Sequence, residues 1–277
     1  MKKSTIEITS PDKVLYPKEK ITKIDVINYY LEVSGLMLPY VSNRIISAIR
    51  CHDGIDGEIF FKKHPTTDKK VETVEYKGED YFYIKDQIQL LYQVQMGTLE
   101  FHTWGSRVKS LNKPDIMVFD LDPDEKLPLN KLREAVLKVK SILDELGLTS
   151  FLKISGGKGY HIVVPFNKTK DWESFYGFSK NLSLIAESRW KNQFTTNVRK
   201  SERKGKIFVD YLRNNIGATC VAPYSLRARE GATISMPIRW EDLNKIKPNE
   251  VNIKNYKKYL NDSWGNFFEV KQELLKK

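Results

Sequence analysis

Two aspartates, Asp120 and Asp122, stand two residues apart inside the apolar run Met117-Val118-Phe119-Asp120-Leu121-Asp122-Pro123. On a β-strand, side chains at i and i+2 point to one face, so both carboxylates would sit side by side where the strand stops at proline. Like charges so placed repel unless a cation lies between them. Such a pair suits divalent metal in phosphoryl or nucleotidyl transfer, where paired ions clamp the attacking and leaving oxygens. The competing reading is a strand end with two solvated acids. A third acid, Asp210, lies in another apolar run, Lys206-Ile207-Phe208-Val209-Asp210-Tyr211-Leu212. A carboxylate there is costly unless it is paired or metal-bound.

Between these acids lies Ser155-Gly156-Gly157-Lys158-Gly159-Tyr160-His161, bounded by the strand signals Phe151 to Ile154 and Ile162 to Phe166. Three glycines in four positions let the backbone approach a ligand or take positive φ, and successive N–H groups in such a turn form an anion nest. Ser155, Lys158 and His161 supply a hydroxyl, a point charge and a ring donor for phosphate oxygens. The Walker A spacing is absent, and the loop runs into a strand rather than a helix. A plain glycine-rich hairpin is the alternative.

The elements that must hold these groups are legible by period. Asp25 to Leu38 reads as a helix with Thr22 as N-cap and Ile24, Ile27, Tyr30 and Leu31 on one face. Ile45 to Ile49, Glu58 to Phe61 and Tyr81 to Ile84 read as strands, and Ile88 to Met96 as a helix ending at Gly97. Leu129 to Leu146 is a helix with Leu132, Val136, Val139, Leu143 and Leu146 inward and Gly147 as its C′ residue. Asp171 to Trp190 is a second long helix, and Ile116 to Pro123, Phe151 to Ile154, His161 to Phe166 and Lys206 to Leu212 are core strands. The mixture predicts an α/β (α+β) fold with a mixed or antiparallel central sheet flanked by helices. No repeat, low-complexity tract or Pro/Gly/Ser linker divides it, so 1–277 reads as one catalytic unit.

Length and composition agree. The 277 residues suffice for a proper core, and 40% are hydrophobic. The net charge of +11 favours a polyanionic partner such as nucleic acid, and aromatics interleaved with basic residues suit base stacking. Cys51 and Cys220 have neither metal-ligand spacing nor a disulfide framework and read as buried thiols in a reducing compartment. No apolar run approaches a membrane span, and Met1, Lys2, Lys3, Ser4 and Thr5 begin no apolar h-region. The expectation is a cytoplasmic, nucleoid-associated protein.

Taken in order, Asp120-Leu121-Asp122-Pro123, Ser155 to His161, and Phe208-Val209-Asp210-Tyr211-Leu212-Arg213-Asn214 resemble the three motifs of the archaeo-eukaryotic primase superfamily. More narrowly, the chain resembles the polymerase domain of bacterial and archaeal DNA ligase D, which acts in non-homologous end joining. Further blocks that resemble it run nearly end to end: Asp12-Lys13-Val14-Leu15-Tyr16-Pro17, Phe60-Phe61-Lys62-Lys63-His64, Glu100-Phe101-His102-Thr103-Trp104, Val221 to Arg227, Pro237-Ile238-Arg239-Trp240 and Asp262-Ser263-Trp264.

The resemblance implies a template-guided nucleotidyltransferase that adds nucleotides, preferentially ribonucleotides, to DNA 3′ ends at gaps and double-strand breaks. It implies that Asp120, Asp122 and Asp210 hold two divalent ions, Mn²⁺ or Mg²⁺. Ser155, Lys158, His161, His102 and Arg227 would grip the triphosphate of an NTP or dNTP. Phe61 would stack on a base, as the exposed partner of a core Phe60. Lys13 and Lys23 match the pocket for a 5′-phosphate, and Lys62, Lys63, Arg199 and Arg203 would lie along DNA. His64 is a secondary candidate. In this reading about 1–110 binds the 5′-phosphate, DNA and base, and about 111–277 is the catalytic core. An ATP-dependent DNA ligase and a Ku-type end-binding protein are the implied partners, with no membrane. Bland readings stay open: His102 as a core histidine, Lys13 and Lys23 as solvated lysines, Arg229 in place of Arg227.

No Lys-x-Asp-Gly nucleophile motif occurs, since Cys51-His52-Asp53-Gly54 lacks the lysine, so nick sealing is not expected of this chain. Two other readings compete. A replicative or plasmid-type primase on the same fold commonly needs a zinc-binding or accessory element, and two distant cysteines do not supply zinc. A non-catalytic module that only bridges DNA ends has no use for clustered carboxylates beside phosphates.

Overall fold

The computed structural model describes residues 6–65, 70–261 and 263–274, so Asp262 of the last resemblance block and residues 1–5 lie outside it. The elements in chain order are β1 (Val14–Tyr16), β2 (Ile21–Thr22), α1 (Lys23–Val41), β3 (Ile46–Arg50), β4 (Phe60–Lys62), β5 (Glu72–Tyr76), β6 (Glu79–Tyr83), α2 (Gln87–Gln95) and β7 (Thr98–Thr103). There follow β8 (Ile116–Pro123), α3 (Leu129–Glu145), β9 (Phe151–Ile154), β10 (Tyr160–Pro165), α4 (Trp172–Arg189), β11 (Phe194–Thr195), β12 (Ile207–Asp210), β13 (Cys220–Val221) and β14 (Pro237–Ile238). The α/β expectation holds. A six-stranded sheet runs β11-β12-β8-β10-β9-β14, parallel at β11–β12 and antiparallel at its other pairings, and a four-stranded sheet runs β13-β7-β3-β4.

Strand β8 is central because its sequence is apolar on both faces until Asp120, and Met117, Val118, Phe119 and Leu121 are all buried. Helix α3 covers the sheet with the apolar stripe Leu132, Val136, Val139 and Leu143, as its periodicity predicts, and Gly147 follows it at φ +68°. Helix α1 buries Ile27 and Tyr30 as expected, but Leu31 is exposed. Tyr29 turns inward instead, and its hydroxyl donates to the Tyr224 carbonyl at 2.7 Å, a partner remote in sequence.

Strand β12 is shorter than the apolar run that encodes it. The Asp210 carboxylate accepts from Leu212 N–H at 3.0 Å and turns Tyr211–Asn214 into a 3₁₀ helix. That turn carries Asn214 back to β8, where its amide donates to Val118 O at 2.8 Å and accepts from Val118 N–H at 2.7 Å. One buried side chain thus completes the ladder that β12 leaves open. The two halves also interlock: β13, from beyond residue 111, pairs with β7, and Tyr30 joins Leu99 O and Leu226 N–H.

Asn214→Ala would leave a buried donor and a buried acceptor of β8 without partners. We expect a loss of about 3 kcal/mol in urea unfolding. A loss below about 1 kcal/mol would show that water fills the gap and that Asn214 does not hold the strand.

Candidate active site

The registers of the six-stranded sheet assemble the site. Asp210 on β12 lies directly opposite Asp120 on β8, His161 on β10 lies opposite Asp120 on its other side, and Lys153 on β9 lies opposite His161. Directly opposed residues share a face with Cβ atoms about 5 Å apart, so four titratable groups form one row across the sheet. Asp122, two residues beyond Asp120 on β8, extends the same face. Sequence alone foresaw the three acids and His161. It did not foresee Lys153, although a lysine inside Phe151-Leu152-Lys153-Ile154 breaks an otherwise apolar strand and was a readable signal.

Cations hold the acids. His161 Nε2 lies 3.3 Å from Asp120 Oδ1, Arg213 Nε lies 3.1 Å from Asp210 Oδ2 and 3.6 Å from Asp120 Oδ2, and Arg203 Nη1 lies 3.1 Å from Asp122 Oδ2. Burial would raise the Asp120 carboxyl, but His161, Arg213 and Lys153 hold it well below its ordinary value. Asp122 and Asp210 move the other way: burial first, and then the charge on Asp120, raise both against the neighbouring arginines. Burial pushes the Lys153 amine down to about 8 even though it donates to Val221 O and Ser235 Oγ. Cys220 is half-buried rather than buried as expected, and its Sγ lies 3.2 Å from His161 Nδ1.

The glycine loop covers this row. Gly156 takes φ +68°, and a Cβ on Gly159 would meet Leu121 O at 2.3 Å, so the loop lies flat on β8 only because it lacks side chains there. The nest is tied internally, since Ser155 Oγ accepts from Gly157 and Gly159 N–H at 3.1 and 3.3 Å. Lys158 is exposed and pairs with Glu125 at 2.6 Å. Together these elements enclose a cleft of about 360 Å³ lined by Asp120, Asp122, Asp210, His161, Lys158 and Arg227, with Ser155, His102, Arg213 and Arg229 also on its wall.

The four-stranded sheet supplies the far wall. Glu100 and His102 lie on one face of β7, with His102 Nε2 2.7 Å from Glu100 Oε2. The same buried carboxylate accepts from Arg227 Nε at 3.0 Å and from Ala228 N–H at 2.7 Å. His102 is therefore both tethered, as a core histidine would be, and open to the cleft. Arg227 also donates to Ser155 O at 2.6 Å, joining the far wall to the glycine loop. Glu100 was missed in the sequence, where it sits two residues before His102 on the same strand face.

Phe61 and Glu100 both face Ile49 across their strands, so Phe61 shares the face of Glu100 about 10 Å away, and it is 74% exposed. Two expectations for this strand fail. Phe60 is not core but 41% exposed: it lies on the edge strand β4 with its ring edge-on to His52 at 5.7 Å, too little cover to bury it. Lys62, expected along DNA, is buried with its Nζ over the Phe82 ring, because alternation sends it inward as Phe61 points out. Lys63 is exposed.

Lys13 and Lys23 are brought together, with Lys23 N–H donating to Lys13 O, but both heads have partners: Lys13 pairs with Asp53 at 2.5 Å, and the buried Lys23 donates to Thr9 O at 2.9 Å. Arg199 is exposed, whereas Arg203 turns back onto Asp122, with its guanidinium 3.8 Å above the Phe208 ring. His64 lies outside the cleft, near Glu79 and Tyr81.

Among the described residues, no three His, Cys, Asp or Glu side chains are drawn together tightly enough to hold an ion as they stand. The donor set nevertheless fits one. Three carboxylates share one face, burial and then the charge of Asp120 raise the other two, and Arg203 and Arg213 now supply the positive charge beside them. Hard oxygen donors of this kind suit Mg²⁺ or Mn²⁺.

A mixed sheet with clustered carboxylates under a basic glycine loop defines a primase-type nucleotidyltransferase catalytic domain. Residues 22–268 match the model of the LigD primase-polymerase domain, and the chain belongs to that family. It is 34% identical over 281 residues to the multifunctional non-homologous end joining protein LigD of Pseudomonas aeruginosa, covering 97% of this chain and 34% of that protein. It is 32% identical over 242 residues to the bifunctional non-homologous end joining protein LigD of Bacillus subtilis, covering 86% of this chain and 39% of that protein. The chain thus spans about a third of the length of these relatives. The polymerase domain from Mycobacterium tuberculosis Ligase D, in complex with DNA, superposes with TM-score 0.85 at 28% identity, covering 92% of this chain and 94% of that one.

Glu100 gives the site a pH signature. Burial would raise its carboxyl, but His102, Arg227 and the Ala228 N–H bring it down to about 2. A carboxyl depressed in the fold adds stability above its unfolded value and loses it as pH falls through the folded one. Glu100→Gln should unfold about 2–3 kcal/mol more easily than the parent at pH 7, with the gap closing between about pH 4.5 and pH 2. A gap that stays constant over that range would show that charge on Glu100 is not what joins the two walls.

Proposed function

We propose that this chain is a DNA-repair polymerase that adds nucleotides, preferentially ribonucleotides, to 3′ ends at gaps and double-strand breaks. The reading rests above all on one observation: Asp120, Asp122 and Asp210 share a sheet face that opens into a cleft walled by lysine, arginine and histidine. Asp120, Asp122 and Asp210 would hold two divalent ions, Mn²⁺ or Mg²⁺. When bound, these ions supply charge neutralisation and a lowered pKa for the attacking hydroxyl.

The chain's own residues do the rest by binding and orientation. Lys158, Arg227 and His102 take the triphosphate oxygens, and Ser155 keeps the loop folded so that its backbone stays close to them. His161 keeps Asp120 ionised and directed along the face. Phe61, exposed on the cleft-side face of its sheet, stacks on a base of the nascent pair. In the reaction the 3′-hydroxyl gives its proton to solvent, its oxygen bonds to the α-phosphorus, the bond from that phosphorus to the α,β-bridging oxygen breaks, and pyrophosphate leaves with the electron pair. Residues of about 1–110 would take the 5′-phosphate side of a gap through Lys13 and Lys23, and about 111–277 would form the catalytic core. Arg199 and Lys63, both exposed, would follow the DNA backbone. A DNA ligase and a Ku-type end-binding protein would complete repair.

Primer extension on a gapped duplex, with and without a downstream 5′-phosphate, tests this. We expect ribonucleotide addition that depends on Mn²⁺ and is stimulated by the phosphate, and Asp122→Ala should lower the rate on the order of 10³-fold while leaving DNA binding unchanged. Mn²⁺ should also raise the thermal midpoint of the parent and not of Asp122→Ala. DNA binding retained with no extension under any metal or nucleotide would replace the polymerase by an end-bridging module.

A further inference from the structure

Beyond the start of β8, at the end of that strand remote from Asp120 and Asp122, lies a second cavity of about 250 Å³. Asp115 stands at its edge, five residues from Asp120 and therefore about 16 Å along the chain from the cleft row. Its lining combines Arg44, Arg107, Lys168 and Lys271 with the rings of Phe267 and Phe268. Asp115 is the one carboxylate among its described lining residues, so four cations face a single acid.

Both arginines compete for that acid. Arg44 Nη1 lies 2.6 Å from Asp115 Oδ1, and Arg107 Nε lies 3.3 Å from Asp115 Oδ2. Arg107 is further fixed by long bonds to Ser42 O and Pro39 O and by the Phe268 ring 5.8 Å away. Arg44 differs. Its side chain is fully buried, and its Nε and Nη2 have no partner among the described residues. Those two nitrogens form the edge of the guanidinium that presents parallel N–H donors, the fork that matches a carboxylate or a phosphate. Both nitrogens are closed to solvent, so Arg44 reaches the cavity as charge rather than as an open donor pair; the surplus positive charge around the cavity is costly, and an oxyanion offsets it.

We propose that this cavity binds a small-molecule oxyanion, a phosphate or a carboxylate, held by Arg107, Lys168 and Lys271, with the buried Arg44 guanidinium adding its charge from beneath. The rings of Phe267 and Phe268 give it an apolar floor, so the anionic group is carried by a compact molecule with a hydrophobic or planar part. This site is separate from the cleft and stands whether or not the polymerase reading does.

The test titrates inorganic phosphate, and separately acetate, into the whole chain at constant ionic strength, following heat of binding and thermal midpoint. We expect saturable binding that persists in the cleft variant Lys158→Gln and weakens at least tenfold in Arg107→Gln. A concentration ten times Kd should raise the midpoint by about 2–3 °C. The double variant Lys168→Ala, Lys271→Ala changes only exposed positions and should weaken binding severalfold with folding intact. Phosphate acting alone identifies a phosphoryl ligand, and acetate acting equally identifies a carboxylate. Binding that is insensitive to Arg107→Gln and to the double variant would overturn the proposal. So would stabilisation by duplex DNA with none by phosphate, because the cavity would then be part of a DNA-binding surface.

Discussion

Three carboxylates pressed onto one face of a sheet repel one another, and much of this molecule is arranged around keeping them there. The antiparallel register of β12 on β8 sets Asp210 against Asp120, and no side-chain choice elsewhere can relax that geometry without moving a strand. Burial, and after it the charge of Asp120, push Asp122 and Asp210 upward, while Asp120 at the centre of the row is held down. Each acid is answered by a cation from a different part of the chain: His161 from the next strand, Arg213 from the 3₁₀ turn, Arg203 from the basic segment. Functional sites tolerate such tension because the surrounding fold over-determines it.

The surrounding fold does this by joining its two sheets at the cleft. Glu100 is buried and binds His102, Arg227 and the backbone at residue 228, and Arg227 continues to the glycine loop. A displacement of the four-stranded sheet is therefore felt at the loop that lies over the acids. Asn214 does similar work within the six-stranded sheet, where it takes the place of the strand that stops at Asp210. These are short, charge-assisted or buried bonds between segments far apart in sequence, the kind that fix a single arrangement.

Much of the fold was legible because strands and helices write their burial into a period. Strand β8, strand β9 and helix α3 fall where alternation, apolar runs and a C′ glycine put them. The failures have physical causes. Phe60 and Phe61 alternate, as a strand requires, yet both are exposed: Phe61 points away from the buried Lys62, and Phe60, on the face of Lys62, meets the His52 ring and stays 41% open. Leu31 sits on the expected helical stripe, yet Tyr29 is buried in its place, since a tyrosine enters a core when its hydroxyl finds a carbonyl, here that of Tyr224. The apolar run at 206–212 ended early because Asp210 caps a turn with its own side chain.

The sequence by itself determined the acids, the glycine loop and the apolar strands that carry them, because residue type and a period of two are local properties. It also determined the family, since motifs kept in order are read without any coordinate. Only the tertiary structure decided what each charge faces. That Lys153 ends the row beside His161, that Arg203 leaves the basic stretch for Asp122, and that Lys62 turns inward are matters of register and packing. Charge pairing depends on distances between segments tens of residues apart, and those distances exist only once the sheets have closed on each other.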